Sequence, residues 1–463
     1  MSTDAYLALP DEENIFKPLT RQGSSFYLIA ALCLGLIATG VYAYLNQLFN
    51  GLGVTGMNQP VTWGVYITNF IFFIGISHAG TLISSILRIA QAEFRRPFTR
   101  AAEALTVFSL PFGALSVIVD LGRPGRLLNM IRDPQFLSPL VWDMLAVTTY
   151  LTFSSIYFYL ALIPDIAECR DRLKGKIPGL QYKLYRMLAL GWTGDSKQWR
   201  VVNFIMSILC VLLFMVVISV HTNVSFVFVM TLQPGWQSAI IAPYFVVGAI
   251  YSGVAFLVVI MATYRKVYKL QALVTDAHFN QLARFLTALV LFWFYFTFIE
   301  FLSVWYHNEP VHLILFNLKF YERYAVTFWV MITFCFIIPI CVFPFPRMRK
   351  LPIMVVTCII VNIGMWLERW LILIPNLTRP RLPYLLGSYG PSWVEIAITL
   401  SFFAAIVLLF LLFSRFFPIL TVWELREAKE EEKEMVEEYI KLHPGIVGKL
   451  AADKGQEPSV SEI

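Results

Sequence analysis

Charged residues are scarce in this chain. They make up 14% of its 463 residues, against about a quarter in a soluble domain. So little charge cannot cover a water-soluble globule of this length. Hydrophobic residues make up 58%, and the mean hydropathy is +0.67. These values exclude an ordinary soluble enzyme and describe a polytopic, all-α membrane protein. Cysteine is sparse too. Six residues (Cys33, Cys169, Cys210, Cys335, Cys341 and Cys358) are scattered, and no CxxC or CxxCH occurs. No haem or iron–sulfur cluster ligated by this chain is therefore expected. A cleavable signal peptide is also missing from the opening residues, which are polar and mixed in charge. The net charge of +6 is modest. Lipids are the expected surroundings, and no nucleic-acid partner is expected.

Long apolar runs are abundant. A bilayer is crossed by about 20 apolar residues in a helix. Ten such runs are expected, at roughly 26–48, 62–88, 101–120, 141–163, 201–221, 240–264, 282–305, 325–345, 351–374 and 393–417. The chain divides into an N-terminal segment 1–25, a transmembrane domain 26–420 with a polar loop 164–200 that carries a surface helix, and a charged tail 421–463. With the N-terminus inside, nineteen basic residues fall in the inner loops and eight in the outer ones. This bias predicts both termini in the cytoplasm. The acidic helix "EAKEEEKEMVEE" is expected to be a solvated face, with a contact to a cytoplasmic subunit as the alternative.

Ionisable groups in a membrane helix are costly unless paired or hydrated, so each is a functional candidate. His78 lies about ten residues from Arg88, near mid-bilayer. Thr81 and Ser85 share its helix, and Asn69 lies further outward. One reading is a neutral imidazole that joins helices. The other is a proton acceptor beside a redox or transport site. A pair of haem ligands needs two histidines at one depth. His221 is expected at the outer end of helix five, too far out to pair with His78. His307 and His312 fall in an outer loop, while His278 and His443 fall inside.

Helices three and four are joined by "VDLGRPGRLLNMIRDPQFLSPLVWDML". Asp120, Arg123, Arg126 and Asp143 crowd this outer connection. They form either an ion-paired corner or a site that takes protons. Glu300, among aromatics in helix seven, is a proton-relay candidate. Glu103 begins helix three as either a cytoplasmic proton entry or a helix N-terminal charge. Glu368 with Arg369, and Glu395, are expected at helix ends in structural roles.

The segments "GISHAGTLISSILR", "FRRPFTRAAEALTVF", "VDLGRPGRLLNMI" and "SPLVWDML" resemble the NrfD/PsrC family of quinone-interacting membrane subunits. The family's Asp-Leu-Gly-Arg-Pro turn corresponds to Asp120–Pro124, and its Ser-Pro-x-x-Trp segment to Ser138, Pro139 and Trp142. Asp143 replaces a small residue common in the family. Ten spans and the His-Ala-Gly-Thr segment at His78–Thr81 look most like the ActC subunit of bacterial alternative complex III, whose companion ActF shares the fold. The motif match covers about 75 residues.

That resemblance implies a bacterial plasma-membrane subunit with no redox centre of its own. It implies that a menaquinol or ubiquinol is held near the outer face and that electrons pass to an iron–sulfur subunit related to molybdopterin proteins. The implied complex also holds multihaem cytochrome c subunits and a second NrfD-like membrane subunit. Proton conduction through half-channels is also implied. On this reading the catalytic residues are His78, Asp143 and Asp120. Arg126, Trp142 and Asn69 join them in holding the quinone. Glu300, Glu103 and His78 form the proton pathway. The alternatives are a membrane anchor of a polysulfide or molybdenum reductase, a secondary transporter or ion channel, and a structural scaffold.

Overall fold

The structure is a computed structural model that describes residues 12–90, 92–380 and 386–442. Among the described residues, ten helices are long and apolar enough to cross a membrane. In chain order they are α1 (Ser24–Asn50), α2 (Val65–Ile89), α3 (Glu93–Asp120), α4 (Pro139–Arg172), α5 (Ser196–Val229), α6 (Ile241–Val267), α7 (Asp276–His307), α8 (Ala325–Val342), α9 (Leu351–Thr378) and α10 (Trp393–Phe416). Their number agrees with the ten apolar runs, but several helices outrun them. α3 begins at Glu93, α4 reaches Arg172 and α5 reaches Val229. Hydropathy marks the stretch that sits in lipid, whereas backbone hydrogen bonds carry each helix on into the polar boundary.

The spans alternate in direction. One end, here the basic end, gathers Arg95, Arg96, the segment 170–200, Arg265 and Arg347. Two terminal helices lie there as well, Glu12–Thr20 and Val422–Leu442, tied together by Arg426 and Glu12. The surface helix expected within 164–200 is Gly179–Leu188. At the far end a short apolar helix, Pro310–Phe320, precedes α8.

Helices α2–α5 form one group and α6–α9 a second, joined where α2 packs on α6, while α1 pairs with α10 outside them. The core centres on α2. Every residue from Val65 to Thr81 is buried, so the helix has no solvent face, and apolar residues dominate on all its sides. Close packing here depends on glycine. A Cβ at Gly80 would collide with the Ala102 carbonyl and Thr106 of α3, and one at Gly253 of α6 would lie 2.7 Å from the Ala79 Cβ.

The first turn of the tail helix, ahead of the acidic segment 427–438, is docked, while the described side chains of that segment are exposed or half-buried. Glu424 is buried and pairs with Arg95 at 3.2 Å, Glu431 pairs with Arg96, and the Trp423 indole donates to the Ala161 carbonyl at 3.2 Å. Its acidic face answers the basic residues that open α3. Residues 443–463, including His443, lie outside the described residues.

Candidate functional site

His78 sits at the centre of the first group, fully buried. Its Nδ1 lies 2.7 Å from the Ile74 carbonyl one turn back on α2. Its Nε2 lies 3.2 Å from the Val217 carbonyl of α5. Both neighbours are acceptors. A neutral imidazole carries one ring proton, so it can satisfy only one of them, and a second proton on the ring would satisfy both.

His221 corrects the sequence reading. Its ring stands edge to face against His78 with centroids 4.1 Å apart. The expected mismatch in depth came from ending the fifth span at His221, whereas α5 runs on to Val229. The two rings touch, so no porphyrin plane fits between them. His221 is fully buried and neither ring nitrogen bonds to another residue. A buried polar group in that condition needs water or a ligand.

Around this pair lies a polar collar. The Tyr150 hydroxyl of α4 donates to the Ser77 carbonyl at 3.0 Å, and the same carbonyl accepts from Thr106 of α3 at 2.5 Å. The Thr81 and Tyr150 hydroxyls are 2.8 Å apart. One carbonyl of α2 thereby ties α2, α3 and α4 beside His78. The regular helix then gives way to a π turn at Leu82–Ile86, a feature often found at functional sites.

The buried face of α4 explains why Asp143 belongs here. Asp143, Tyr150, Ser154 and Tyr157 recur at seven-, four- and three-residue steps, and all are buried. That spacing keeps them on one helix face. Asp143 stands two turns outward of Tyr150, about 10 Å along the axis. One of its carboxylate oxygens is buried without a bond to another residue. Toward the basic end the same face reaches Asp165, which pairs with Arg100 at 2.6 Å, both side chains fully buried.

Glu103 lies three turns inside α3, because that helix starts earlier than its apolar run suggests. It is buried, and neither carboxylate oxygen bonds to another residue. Arg100, Arg88, Arg95 and Glu424 surround it. It is therefore not the solvent-facing N-terminal charge that one of the two expectations described.

The remaining expected residues lie elsewhere. Asn69 spends its amide on other helices: it donates to Thr399 of α10 at 2.7 Å and accepts from the Trp366 indole of α9 at 2.9 Å. Asp120 lies near Tyr66 and Glu395, toward α1 and α10. Arg126 is exposed, and the Trp142 indole donates to the Phe136 carbonyl at 2.6 Å. Among the described residues, neither aspartate pairs with Arg123 or Arg126, so the ion-paired corner does not form. Glu300 belongs to the second group, where it accepts from Ser238.

Glu368 and Arg369 are also corrected. They pair with each other and are almost fully buried, well inside α9, which runs on to Thr378. The Trp293 indole donates to Glu368 at 2.8 Å. Arg369 stacks over Phe245, 5.3 Å from its centroid, within electrostatic reach of both histidines. Glu395 does hold a helix end. It accepts from the Ser392 and Gly56 N–H groups, at 2.8 and 2.7 Å, and from Tyr389 at 2.6 Å.

His221, Tyr150 and the Glu368–Arg369 pair were missed or set aside by sequence reasoning. The seven-residue polar spacing along α4 was the one available signal for Tyr150. Nothing in the sequence tells which residues of α5 and α9 face α2. Among the described residues, no three His, Cys, Asp or Glu side chains converge as a metal site requires.

Comparison with known proteins agrees with this picture. Residues 53–381 match the family described as Polysulphide reductase, NrfD. A putative dimethyl sulfoxide reductase membrane subunit of Halobacterium salinarum is 28% identical over 243 residues, and the match spans 51% of this chain and 52% of that protein. This chain thus spans about half of that relative's length. A selenate reductase subunit of Mesobacillus selenatarsenatis is 24% identical over 400 residues, covering 82% of this chain and 91% of the relative. An Hdr-like menaquinol oxidoreductase integral membrane subunit of Archaeoglobus fulgidus is 23% identical over 142 residues, covering 31% and 35%.

Proposed function

The chain belongs to the NrfD family, and from that premise we propose that it is the quinol-binding membrane subunit of a bacterial respiratory oxidoreductase. It lies in the plasma membrane with the basic end in the cytoplasm, as the excess of Lys and Arg in the loops of that end supports. Its substrate is menaquinol. The Archaeoglobus relative is named for menaquinol, and an apolar bundle suits an isoprenoid quinol. Oxidation of the quinol yields two electrons and two protons. The electrons go to an iron–sulfur partner beyond the far end, and the protons stay with this chain.

The observation that carries this reading is the His78 ring between two carbonyl acceptors, in contact with His221 and beside Tyr150. Such a ring gains a hydrogen bond when it gains a proton. Proton acceptance by positioned side chains is what quinol oxidation asks of the protein around the quinol. Asp143, further outward on the Tyr150 face, is the second acceptor. Glu103 connects the same interior to the basic end. Asp120, Asn69 and Trp142 support the surrounding helices, and Arg126 is placed to meet a partner protein.

Within this reading the alternative complex III assignment rests on the ten spans and the His-Ala-Gly-Thr segment, with multihaem cytochromes and a second NrfD-like subunit as its partners. The names of the first two relatives favour a second reading, the membrane subunit of a terminal reductase that draws on the same quinol pool. Purification separates the two. The first predicts co-purifying c-type cytochromes; the second predicts a molybdenum protein. A transporter would purify alone and move a solute by itself. Labelling with a photoreactive quinone, competed by a quinol-site inhibitor, tests the site directly. Label on α2, α4 or α5 is expected, and its absence from all three overturns the proposal.

A further inference from the structure

A second cluster of ionisable side chains lies at the far end of the other helix group. Glu300 of α7, Lys319 and His312 of the Pro310–Phe320 helix, Tyr244 of α6 and Asn376 of α9 line a cavity of about 60 Å³. That space is large enough to hold water. A cleft of about 320 Å³ adjoins it, lined by Ser238, Ser303, His307 and Glu309. Glu300, Val304 and His312 line both spaces and so form the neck between them.

The polar groups of this cavity are incompletely matched to one another. Asn376 is 1% exposed, and neither amide atom bonds to another residue. Lys319 is 9% exposed, with its ammonium 6.0 Å from the Phe301 centroid. Burial lowers its pKa to about 8, and the neighbouring Glu300 works against that shift. The Gly235 N–H donates to His312 Nδ1 at 3.2 Å, which leaves the ring proton on Nε2, 3.5 Å from Glu309. A buried amide without protein partners is stable only when water or a ligand completes it.

Inward from the cavity the polar groups continue. Tyr244 lies beside Glu368 and Thr297. Glu368 is held by Arg369 and the Trp293 indole. Arg369 reaches toward His221 and His78. Gly248 of α6 leaves room for this side chain, since a Cβ there would lie 2.7 Å from the Arg369 guanidinium. This route crosses from the first helix group to the second and avoids the α3–α4 connection altogether.

We infer that the second helix group holds a hydrated proton-release site at the far end, in which Glu300 and Lys319 exchange the proton and Tyr244, Glu368 and Arg369 link them to the His78–His221 pair. The inference rests on the reading of that pair as acceptor of the quinol's protons. Arg369 keeps its own proton and pairs with Glu368, and Glu368 takes the proton handed on from the His78–His221 pair. Tyr244 and the cavity waters pass it to Glu300. Lys319 supplies a positive charge that drives the next proton out through the neck. No electron moves in these steps, and each group returns to its starting state after one proton has passed.

The test uses the purified complex in liposomes, with quinol-driven turnover and proton release at the far end followed together. Glu300→Gln and Lys319→Met are each expected to slow steady-state turnover and proton release at least ~10-fold, while the first electron transfer after mixing keeps its wild-type rate. Glu300→Asp should restore much of the activity, whereas Lys319→Arg, which keeps its charge but cannot give up its proton, should not. The pH profile of turnover should lose its inflection near pH 8 in Lys319→Met. An infrared carboxyl band that responds to turnover should vanish in Glu300→Gln. Wild-type turnover, proton yield and pH profile in both variants would overturn the inference. If His78→Ala and His221→Phe also leave turnover intact, it is the quinol reading that has failed. If those two abolish turnover while Glu300→Gln does not, only the release site is wrong. A variant that assembles poorly is replaced by His312→Gln, for which slowed proton release is expected and an unchanged rate counts against the site.

Discussion

The imidazoles of His78 and His221 meet edge to face, 4.1 Å between centroids, inside a bundle where both are fully buried. Two rings in contact cannot both become cations at tolerable cost. The pair therefore takes one proton at a time, with His78 the better placed because two carbonyls face its nitrogens. Replacing His221 with Phe keeps the ring contact but removes the second base. Quinol:acceptor turnover is expected to fall at least ~10-fold in His221→Phe and in His78→Ala, with the complex still assembled by gel filtration. Wild-type turnover in both would remove the pair from the chemistry.

Asp143 and Asp120 are expected to part company. Asp143 shares the α4 face of Tyr150, whereas Asp120 lies toward Tyr66 and Glu395. Asp143→Asn should lower turnover at least ~10-fold, and Asp120→Asn should leave it near wild type. Steady-state rates of the two variants, measured at equal quinol concentration, decide this. The reverse ranking would move the site to the α3–α4 connection.

Gly80→Ala should destabilise the protein. The added Cβ falls against the Ala102 carbonyl and Thr106 of α3, and backbone yields less readily than a flexible side chain. Overpacking of this kind costs about 1–3 kcal/mol. Gly35→Ala is the control, since nothing lies within 4 Å of its Cβ. Thermal unfolding of the two variants in detergent should separate them, with Gly80→Ala melting lower.

The tail helix should stabilise the basic end. Glu424→Gln leaves the buried Arg95 guanidinium without its carboxylate. Loss of one partner from a buried pair costs about 3–5 kcal/mol. The expected readout is a lower unfolding temperature and faster proteolysis near Arg95. Glu430→Gln, on the same helix, should change neither.

Two residues of the candidate site were legible before its geometry. His78 and Asp143 stood out because an ionisable side chain in an apolar run is rare and costly. Which of the outlying residues join them was not legible. Asn69 and Asp120 lie on α2 and α3, which also line the site, yet face other helices, and His221 lies deeper than its apolar run suggests because α5 continues to Val229. Glu368 and Arg369 looked terminal because the apolar run on α9 fades before the helix does.

Sequence by itself determined the number of spans, their alternation and the short set of polar residues they bury, because the bilayer penalises each exposed charge and each unpaired backbone group wherever it falls. Tertiary structure alone decided that His221 touches His78, that Tyr150 joins them, and that Glu300 and Lys319 meet across a cavity in the other helix group. An apolar helix can turn any face toward a neighbour in lipid. Glycines such as Gly80 and Gly253, and the carbonyls they bring close, select the face that is buried, and with it the side chains that meet.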